Sequence, residues 1–196
     1  MGSNGTVDER LAEAEAARQV LGALWRVNLR WPDRAIGSDP SHARSAAELI
    51  RRATPRTVAL PYWSDRHPDH PAASHLLTEA VFNSGLRRYE AAGELWKPDW
   101  VCYYFINDST APSFVIDVSE HYETKRRALA CHASQFRPAG SDAVQTRLTS
   151  PRFRQLVESR DAQFGALAGV AFGEGVVVRG PLVRPHLFQQ WNAEPR

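Results

Sequence analysis

The chain has 196 residues, which is enough for the single domain, residues 1–196, that we expect. Its 24 basic and 22 acidic residues nearly balance, and a net charge of +2 argues against a nucleic acid or an anionic membrane as the main partner. With only Cys102 and Cys131 present, a cysteine-rich metal site is excluded and a disulfide framework is not expected.

Caps and apolar patterns predict that helices and strands alternate along the chain. Thr6 and Glu9 form a capping box, which predicts a helix that continues to about Leu21 and ends at Gly22. The patterns that follow predict a strand at 24–29, a helix at 40–52, a strand at 57–62, a helix ending near Phe82, strands at 100–106 and 114–118, and helices at 119–134 and 151–167. This alternation indicates an α/β fold with a Rossmann-like, mainly parallel sheet and flanking helices. Because such domains usually open with a strand, we expect the first strand–helix unit to be lacking.

The pattern that carries the most chemistry is His67-Pro68-Asp69-His70, just after the second predicted strand. Open α/β sheets place ligand crevices at the carboxyl ends of their strands. One histidine can bind a metal while the other faces a substrate, Asp69 can orient an imidazole, and Arg66 offers a planar fork for a carboxylate. The motif also fits a polar helix start, with Pro68 near the first position and Asp69 in the first turn. A metal site needs about three protein ligands, so the spacing alone leaves both interpretations open.

The segment PYWSDRHPDHPAAS resembles the second signature of the PIG-L/LmbE-like N-acetylglucosamine deacetylases. Further likenesses occur in family order, namely GSNGTVDER, NLRWPDRAIG, EAVFNSGLRRY, PSFVIDVSE, SQF, TRLTSPRF and FGEGV. The resemblance covers essentially the whole chain and is strongest to the deacetylase branch of bacillithiol biosynthesis. It implies zinc-dependent hydrolysis of the acetamide of an N-acetylglucosaminyl substrate, which in that branch is the malate glycoside.

The resemblance also implies roles for five residues. His70 corresponds to a histidine ligand of the single zinc ion. His67 corresponds to the histidine that stabilises the tetrahedral intermediate or protonates the leaving amine, and Asp69 to its orienting partner. Arg66 and Arg10 correspond to arginines that hold the substrate, in the malate glycoside through its carboxylates. Zinc would supply Lewis acidity and a nucleophilic hydroxide, and a cationic His67 would stabilise the developing oxyanion.

The chain departs from the family pattern in two places. The first family signature, an A-H-P-D-D-type turn that should give two zinc ligands and the general base, is absent from the sequence. We therefore expect a chain truncated at its N-terminus relative to the family, with little or no deacetylase activity as it stands. Phe172 occupies a position where relatives can carry tyrosine, and core packing is the favoured role for it.

Two other functions remain open. The chain could be a non-catalytic remnant that binds a sugar or a protein partner through its arginines and histidines. It could also be a different metal hydrolase in which Asp65 or His132 replaces the missing ligands. The leading hypothesis predicts a small amino-sugar glycoside as partner, with no nucleic acid and no membrane, and leaves a homo-oligomer open. Without an apolar run of roughly 20 residues or a signal-peptide core, the chain is expected in the cytoplasm.

Overall fold

Six α-helices and four strands occur in the computed structural model, which describes residues 4–137 and 143–181. The helices are α1 (Val7–Val20), α2 (Pro40–Ala53), α3 (Asp69–Ser84), α4 (Tyr122–Ala130), α5 (Ala133–Phe136) and α6 (Pro151–Ala168). The strands are β1 (Thr57–Pro61), β2 (Trp100–Tyr104), β3 (Phe114–Asp117) and β4 (Gly173–Val177). A short 3₁₀ turn over Ser119–His121 precedes α4. None of these helices is both long and apolar enough to cross a membrane.

The four strands form one sheet in the order β1-β2-β4-β3. β1 and β2 are parallel, with Thr57 opposite Trp100 and Pro61 opposite Tyr104. β4, which the sequence patterns did not predict, runs antiparallel to both β2 and β3. The α/β class with helices beside a sheet is confirmed. Because β4 enters between β2 and β3, the described sheet is mixed, and its parallel pairing is between β1 and β2.

The strand predicted at 24–29 is wrong. This segment is irregular, and no strand in the described part of the chain lies beside it. Leu24 is 92% exposed and Trp25 is 57% exposed. A strand needs a neighbour to satisfy its backbone N–H and C=O groups, so an apolar pattern alone does not create one.

The predicted capping box of α1 is confirmed. The Thr6 hydroxyl accepts a hydrogen bond from the Glu9 amide, and the Glu9 carboxylate accepts one from the Thr6 amide. Gly22 follows the helix with a φ of 67°, a left-handed conformation that glycine adopts without strain. Because a capping box marks the start of this helix and a glycine marks its end, both ends could be predicted within one residue.

The core consists of two clusters on either side of α3. The first joins α2 to α3 through small side chains and contains Ala43, Ala46, Ala47, Ile50, Leu76 and Ala80. The second lies between the sheet and α6 and contains Leu60, Tyr103, Phe105, Phe164 and Val177. Phe172 stacks on Tyr122 with ring centroids 3.7 Å apart, as its predicted packing role requires. The sheet and α3 together fix the segment that connects β1 to α3.

Gly175 of β4 lies directly against the buried ring of Phe164. A methyl group at position 175 would meet the Phe164 Cε2 atom at 2.7 Å, which is inside van der Waals contact. We therefore expect Gly175→Ala to lower the free energy of unfolding by about 1–3 kcal/mol, measured by urea denaturation. Gly85→Ala is the control, because a methyl group there meets Lys97 Cβ at an ordinary 3.6 Å. Equal losses in the two variants would contradict this packing.

Candidate functional site

The His67-Pro68-Asp69-His70 motif joins β1 to α3 at the carboxyl end of the parallel strands. α3 begins at Asp69, with Pro68 in the cap position, so the motif does form a polar helix start. It also brings the two imidazole rings together, stacked with centroids 4.8 Å apart and planes 27° apart. The helix-start interpretation and the functional interpretation are therefore compatible.

Asp65 forms the centre of the hydrogen-bond network beneath these rings. Its side chain is 2% exposed, and its Oδ1 atom lies 2.9 Å from His70 Nδ1. The same carboxylate accepts hydrogen bonds from the His67 amide, from the amide and side chain of Asn107, and from the Asp108 amide. Both oxygens are thus committed to protein donors. Asp65 therefore supports a ligand histidine and is not available as a replacement metal ligand.

The pKa of Asp65 reflects two opposing effects. Burial favours the neutral acid and raises it, but the hydrogen bonds from His67, Asn107 and Asp108 outweigh burial and lower the pKa to about 2. The carboxylate is consequently ionised at neutral pH. An ionised carboxylate accepts hydrogen bonds only, so the proton shared with His70 belongs to the imidazole.

This pairing determines which nitrogen of His70 can bind a metal. With its Nδ1–H donated to Asp65, neutral His70 carries a free electron pair on Nε2. The Asn107 side-chain nitrogen lies 3.3 Å from His70 Nδ1, and since both atoms are then donors, Asn107 directs its proton to Asp65 at 3.0 Å. A carboxylate behind an imidazole is the usual second partner of a metal-binding histidine.

His67 has the opposite arrangement. Its Nδ1 atom accepts a hydrogen bond of 3.3 Å from the Asp69 backbone amide, which places the proton of neutral His67 on Nε2. The side chain is exposed at the mouth of the site. Of the two stacked imidazoles, one therefore offers an electron pair and the other an N–H donor, a combination suited to binding a metal beside a developing oxyanion.

The Asp69 carboxylate has a different partner from the one that the sequence suggested. It is buried, and its Oδ2 atom accepts a 2.7 Å hydrogen bond from the Arg34 amide. The contact of Asp69 with His67 comes instead from its backbone N–H. Asp69 thus holds the loop around Arg34 against the motif, while its catalytic role stays a prediction.

The two predicted substrate arginines have different surroundings. Arg66 is exposed within the connection that carries the motif. Arg10 lines a cavity of about 620 Å³ together with Arg26 and Arg30, here called the basic cavity, and donates to Gln135 at 2.9 Å. Neither Arg66 nor the motif histidines are part of the described lining of this cavity. A common substrate site for Arg10 and Arg66 stays a prediction.

A zinc site needs more ligands than the motif provides. Within residues 4–137 and 143–181, no three His, Cys, Asp or Glu side chains are grouped so that they could hold a metal ion. His132 lines the basic cavity, whose described lining does not include the motif histidines. His70 fits one ligand position, but the described residues do not by themselves fit a catalytic zinc, which usually has three protein ligands. His132 therefore does not complete a site with His70.

Asn107 was missed from the sequence, as was the supporting role of Asp65. Asn107 follows β2, whose carboxyl end lies beside that of β1 because the two strands are parallel. The rule that ligand crevices form at the carboxyl ends of adjacent parallel strands could have identified both residues. Asn107 belongs to no conspicuous motif, and only the strand pairing brings it beside Asp65.

The chain is similar to a known protein family and to several known proteins. The PIG-L family, described as GlcNAc-PI de-N-acetylase, matches residues 2–81. The conserved protein TT1542 from Thermus thermophilus is 33% identical, with a TM-score of 0.82, over 97% of this chain and 80% of that one.

Two proteins described as deacetylases are also similar. A diacetylchitobiose deacetylase from Thermococcus kodakarensis is 26% identical over 193 residues, covering 89% of this chain and 68% of that protein. The N,N'-diacetylchitobiose deacetylase from Pyrococcus horikoshii shares the fold, with 20% identity and a TM-score of 0.71 over 86% of this chain and 62% of that one. With the family match and the extensive likeness to the Thermus protein, these findings show that the chain belongs to the PIG-L family.

Proposed function

We propose that this chain forms the part of a metal-dependent N-acetyl hydrolase site that contains His67 and His70. The reaction at this site removes the acetyl group from an N-acetylglucosaminyl substrate. The observation that carries the proposal is the Asp65–His70 pair, which leaves His70 Nε2 for a metal beside the N–H donor of His67. The diacetylchitobiose deacetylases among the relatives support an N-acetylated amino sugar as the substrate type.

The residues divide the reaction between them. Water adds to the acetamide carbonyl, the C–N bond breaks, acetate leaves, and the amine takes up a proton. The Nε2–H group of neutral His67 is suited to donate a hydrogen bond to the oxyanion, while the proton released by the attacking water passes to the amine. Asp65 keeps His70 in the form that binds a metal, and Asp69 holds His67 through its backbone amide.

The bound metal is proposed to be zinc, with His70 as one ligand. An imidazole nitrogen backed by a carboxylate is a common zinc ligand. Because one histidine is well below the usual three protein ligands, we expect the chain by itself to bind zinc weakly and to turn substrate over slowly.

An anionic glycoside is the favoured substrate within this class. Arg66 is exposed beside His67, and Arg10, Arg26 and Arg30 line the basic cavity. A guanidinium binds a carboxylate through two parallel hydrogen bonds. N-acetylglucosaminyl malate, the substrate of the bacillithiol branch, carries two carboxylates and suits this charge. A cytoplasmic location is part of the same proposal.

The test is zinc binding and release of free amine by the purified chain. We expect His70→Ala to weaken zinc binding at least about tenfold in a chelator competition, and to abolish the slow amine release from N-acetylglucosaminyl malate. His75→Ala, which changes an exposed histidine on α3, is the matched control and should leave both unchanged. Parallel assays with diacetylchitobiose compare the two substrates.

Two results would count against the proposal. If zinc binding is the same in His70→Ala and in the unchanged chain, His70 is not the ligand. Turnover as fast as that of the Thermococcus enzyme in the same assay would contradict the low activity and require further ligands.

Sugar binding without catalysis is the second candidate, and the basic cavity favours it. The cavity has a volume of about 620 Å³ and does not depend on the motif for its lining. If this is the function, N-acetylglucosaminyl malate should bind with the same affinity in EDTA as in zinc, measured by isothermal titration calorimetry. Arg10→Gln should weaken that binding, while His70→Ala should not.

A further inference from the structure

Arg160 of α6 reaches the turn that surrounds Asp65. Its side chain is 14% exposed, and its Nη1 atom donates a 2.8 Å hydrogen bond to the Ile106 carbonyl. Ile106 follows β2 and begins the turn that continues through Asn107 and Asp108. Arg160 has no contact with the motif histidines among the described hydrogen bonds, so any influence on them must pass through this turn.

One peptide unit connects Arg160 to Asp65. The Ile106 carbonyl accepts from Arg160, and the N–H of the same peptide, that of Asn107, donates to Asp65 at 2.9 Å. Because the peptide is planar and trans, its C=O and N–H groups point in opposite directions. Rotation of this unit would break both bonds together. Arg160 therefore fixes the orientation of the amide that holds Asp65.

A buried ionic network holds Arg160 in turn. Its Nε atom lies 3.4 Å from the carboxylate of Asp161, which is 1% exposed and also accepts from Lys125 at 2.7 Å and from the Tyr122 hydroxyl at 3.1 Å. Burial, with the neighbouring Asp161 carboxylate, raises the pKa of Tyr122, so its phenol keeps the proton that it donates. Lys125 bonds to Glu174 of β4 as well. These contacts join α4, α6 and β4 beneath the guanidinium.

We propose that Arg160 is a positioning residue for the metal-binding face of His70. It acts through the Ile106–Asn107 peptide, which holds Asp65, which in turn holds His70 with its proton on Nδ1. The role of His70 as a ligand rests on the proposed function, whereas the link from Arg160 to the imidazole is a property of the metal-free chain. The two can therefore be tested separately.

The experiment records long-range ¹H–¹⁵N spectra of the chain with ¹⁵N-labelled histidine, without metal, at a pH where the imidazoles are neutral. We expect His70 in the unchanged chain to show the Nδ1–H form. Arg160→Met should produce a mixture of the two neutral forms and weaken binding of zinc alone by about tenfold. Arg152→Met is the matched control, because Arg152 is exposed on the same helix.

Arg160→Lys keeps the cation but presents a single nitrogen, and it guards against unfolding of the methionine variant. It should cause a smaller change at His70 and faster amide hydrogen exchange at Asn107. An unchanged His70 signal and unchanged Asn107 exchange in Arg160→Lys would overturn the proposal. If His70 in the unchanged chain already carries its proton on Nε2, the ligand assignment in the proposed function falls too. If His70 carries its proton on Nδ1 both in the unchanged chain and in the Arg160 variants, only the positioning role of Arg160 is refuted.

Discussion

Replacing Asp65 with asparagine is expected to weaken zinc binding to His70 by about 10–100-fold, because the second partner of the ligand imidazole is lost. An amide of the same shape has one acceptor oxygen, whereas the Asp65 carboxylate accepts from His67, His70, Asn107 and Asp108 with two. The side-chain NH₂ group of asparagine is itself a donor, and it would face the donor groups that bond to Asp65 in the unchanged chain. Leaving buried donors unpaired should also lower the free energy of unfolding by about 2–4 kcal/mol at neutral pH.

The loss in Asp65→Asn should depend on pH in a defined direction. Hydrogen bonding lowers the pKa of Asp65 from 3.8 to about 2, against the effect of burial, so its charge stabilises the folded chain above the unfolded value. This contribution is lost as the pH falls from about 4 towards 2. The difference in unfolding free energy between the variant and the unchanged chain should therefore shrink between pH 5 and pH 3.

Urea denaturation at the two pH values measures this change, and chelator competition at neutral pH measures zinc binding. Asp99→Asn is the matched control, because Asp99 is an exposed acid whose side chain pairs with Arg56. It should change the unfolding free energy by no more than about 0.5 kcal/mol. A destabilisation of Asp65→Asn that stays constant from pH 5 to pH 3 would show that its carboxylate is not ionised as described.

Local signals explain most of what could be predicted about the fold. The capping box at Thr6 and the Ser150 cap followed by Pro151 both mark real helix starts. β4 escaped prediction because Gly173 and Gly175 interrupt any apolar alternation. In the structure these glycines are what allow Val115 and Phe164 to approach the strand closely. The segment at 24–29 failed for the opposite reason, since it has the pattern of a strand but no described neighbour.

The candidate site also contains some residues that a local motif predicts and others that only the tertiary structure brings together. The pairing of His67 with His70 could be predicted, because their spacing at the start of a helix brings the two rings together whatever the rest of the fold is. Asn107 and Arg160 belong to no local motif, and each reaches the site only through the pairing of β1 with β2 and the packing of α6. Sequence motifs therefore indicate the groups that face a ligand, whereas tertiary structure determines which groups support them.

The adjacent residues Arg51 and Arg52 of α2 show the same distinction, because the two side chains are identical but only Arg51 is buried. Arg51 is 5% exposed, and its guanidinium donates to the backbone carbonyls of Ser84 at the end of α3 and of Leu86 and Ala91 in the connection that follows. Arg52 is exposed on the same helix. Lysine has three donors on one nitrogen and cannot span carbonyls that lie on several sides of a planar fork.

Arg51→Lys is therefore expected to lower the free energy of unfolding by about 3–5 kcal/mol, since it leaves buried carbonyls unpaired and a buried cation poorly solvated. Arg52→Lys should change it by less than about 0.5 kcal/mol, because an exposed cation keeps its water. Urea denaturation of the two variants side by side provides the measurement. Because the residues are adjacent and the substitution is the same, charge and helix propensity cancel in the comparison. Equal stabilities would mean that the carbonyls around Arg51 find other donors, and that its burial does not hold the connection after α3.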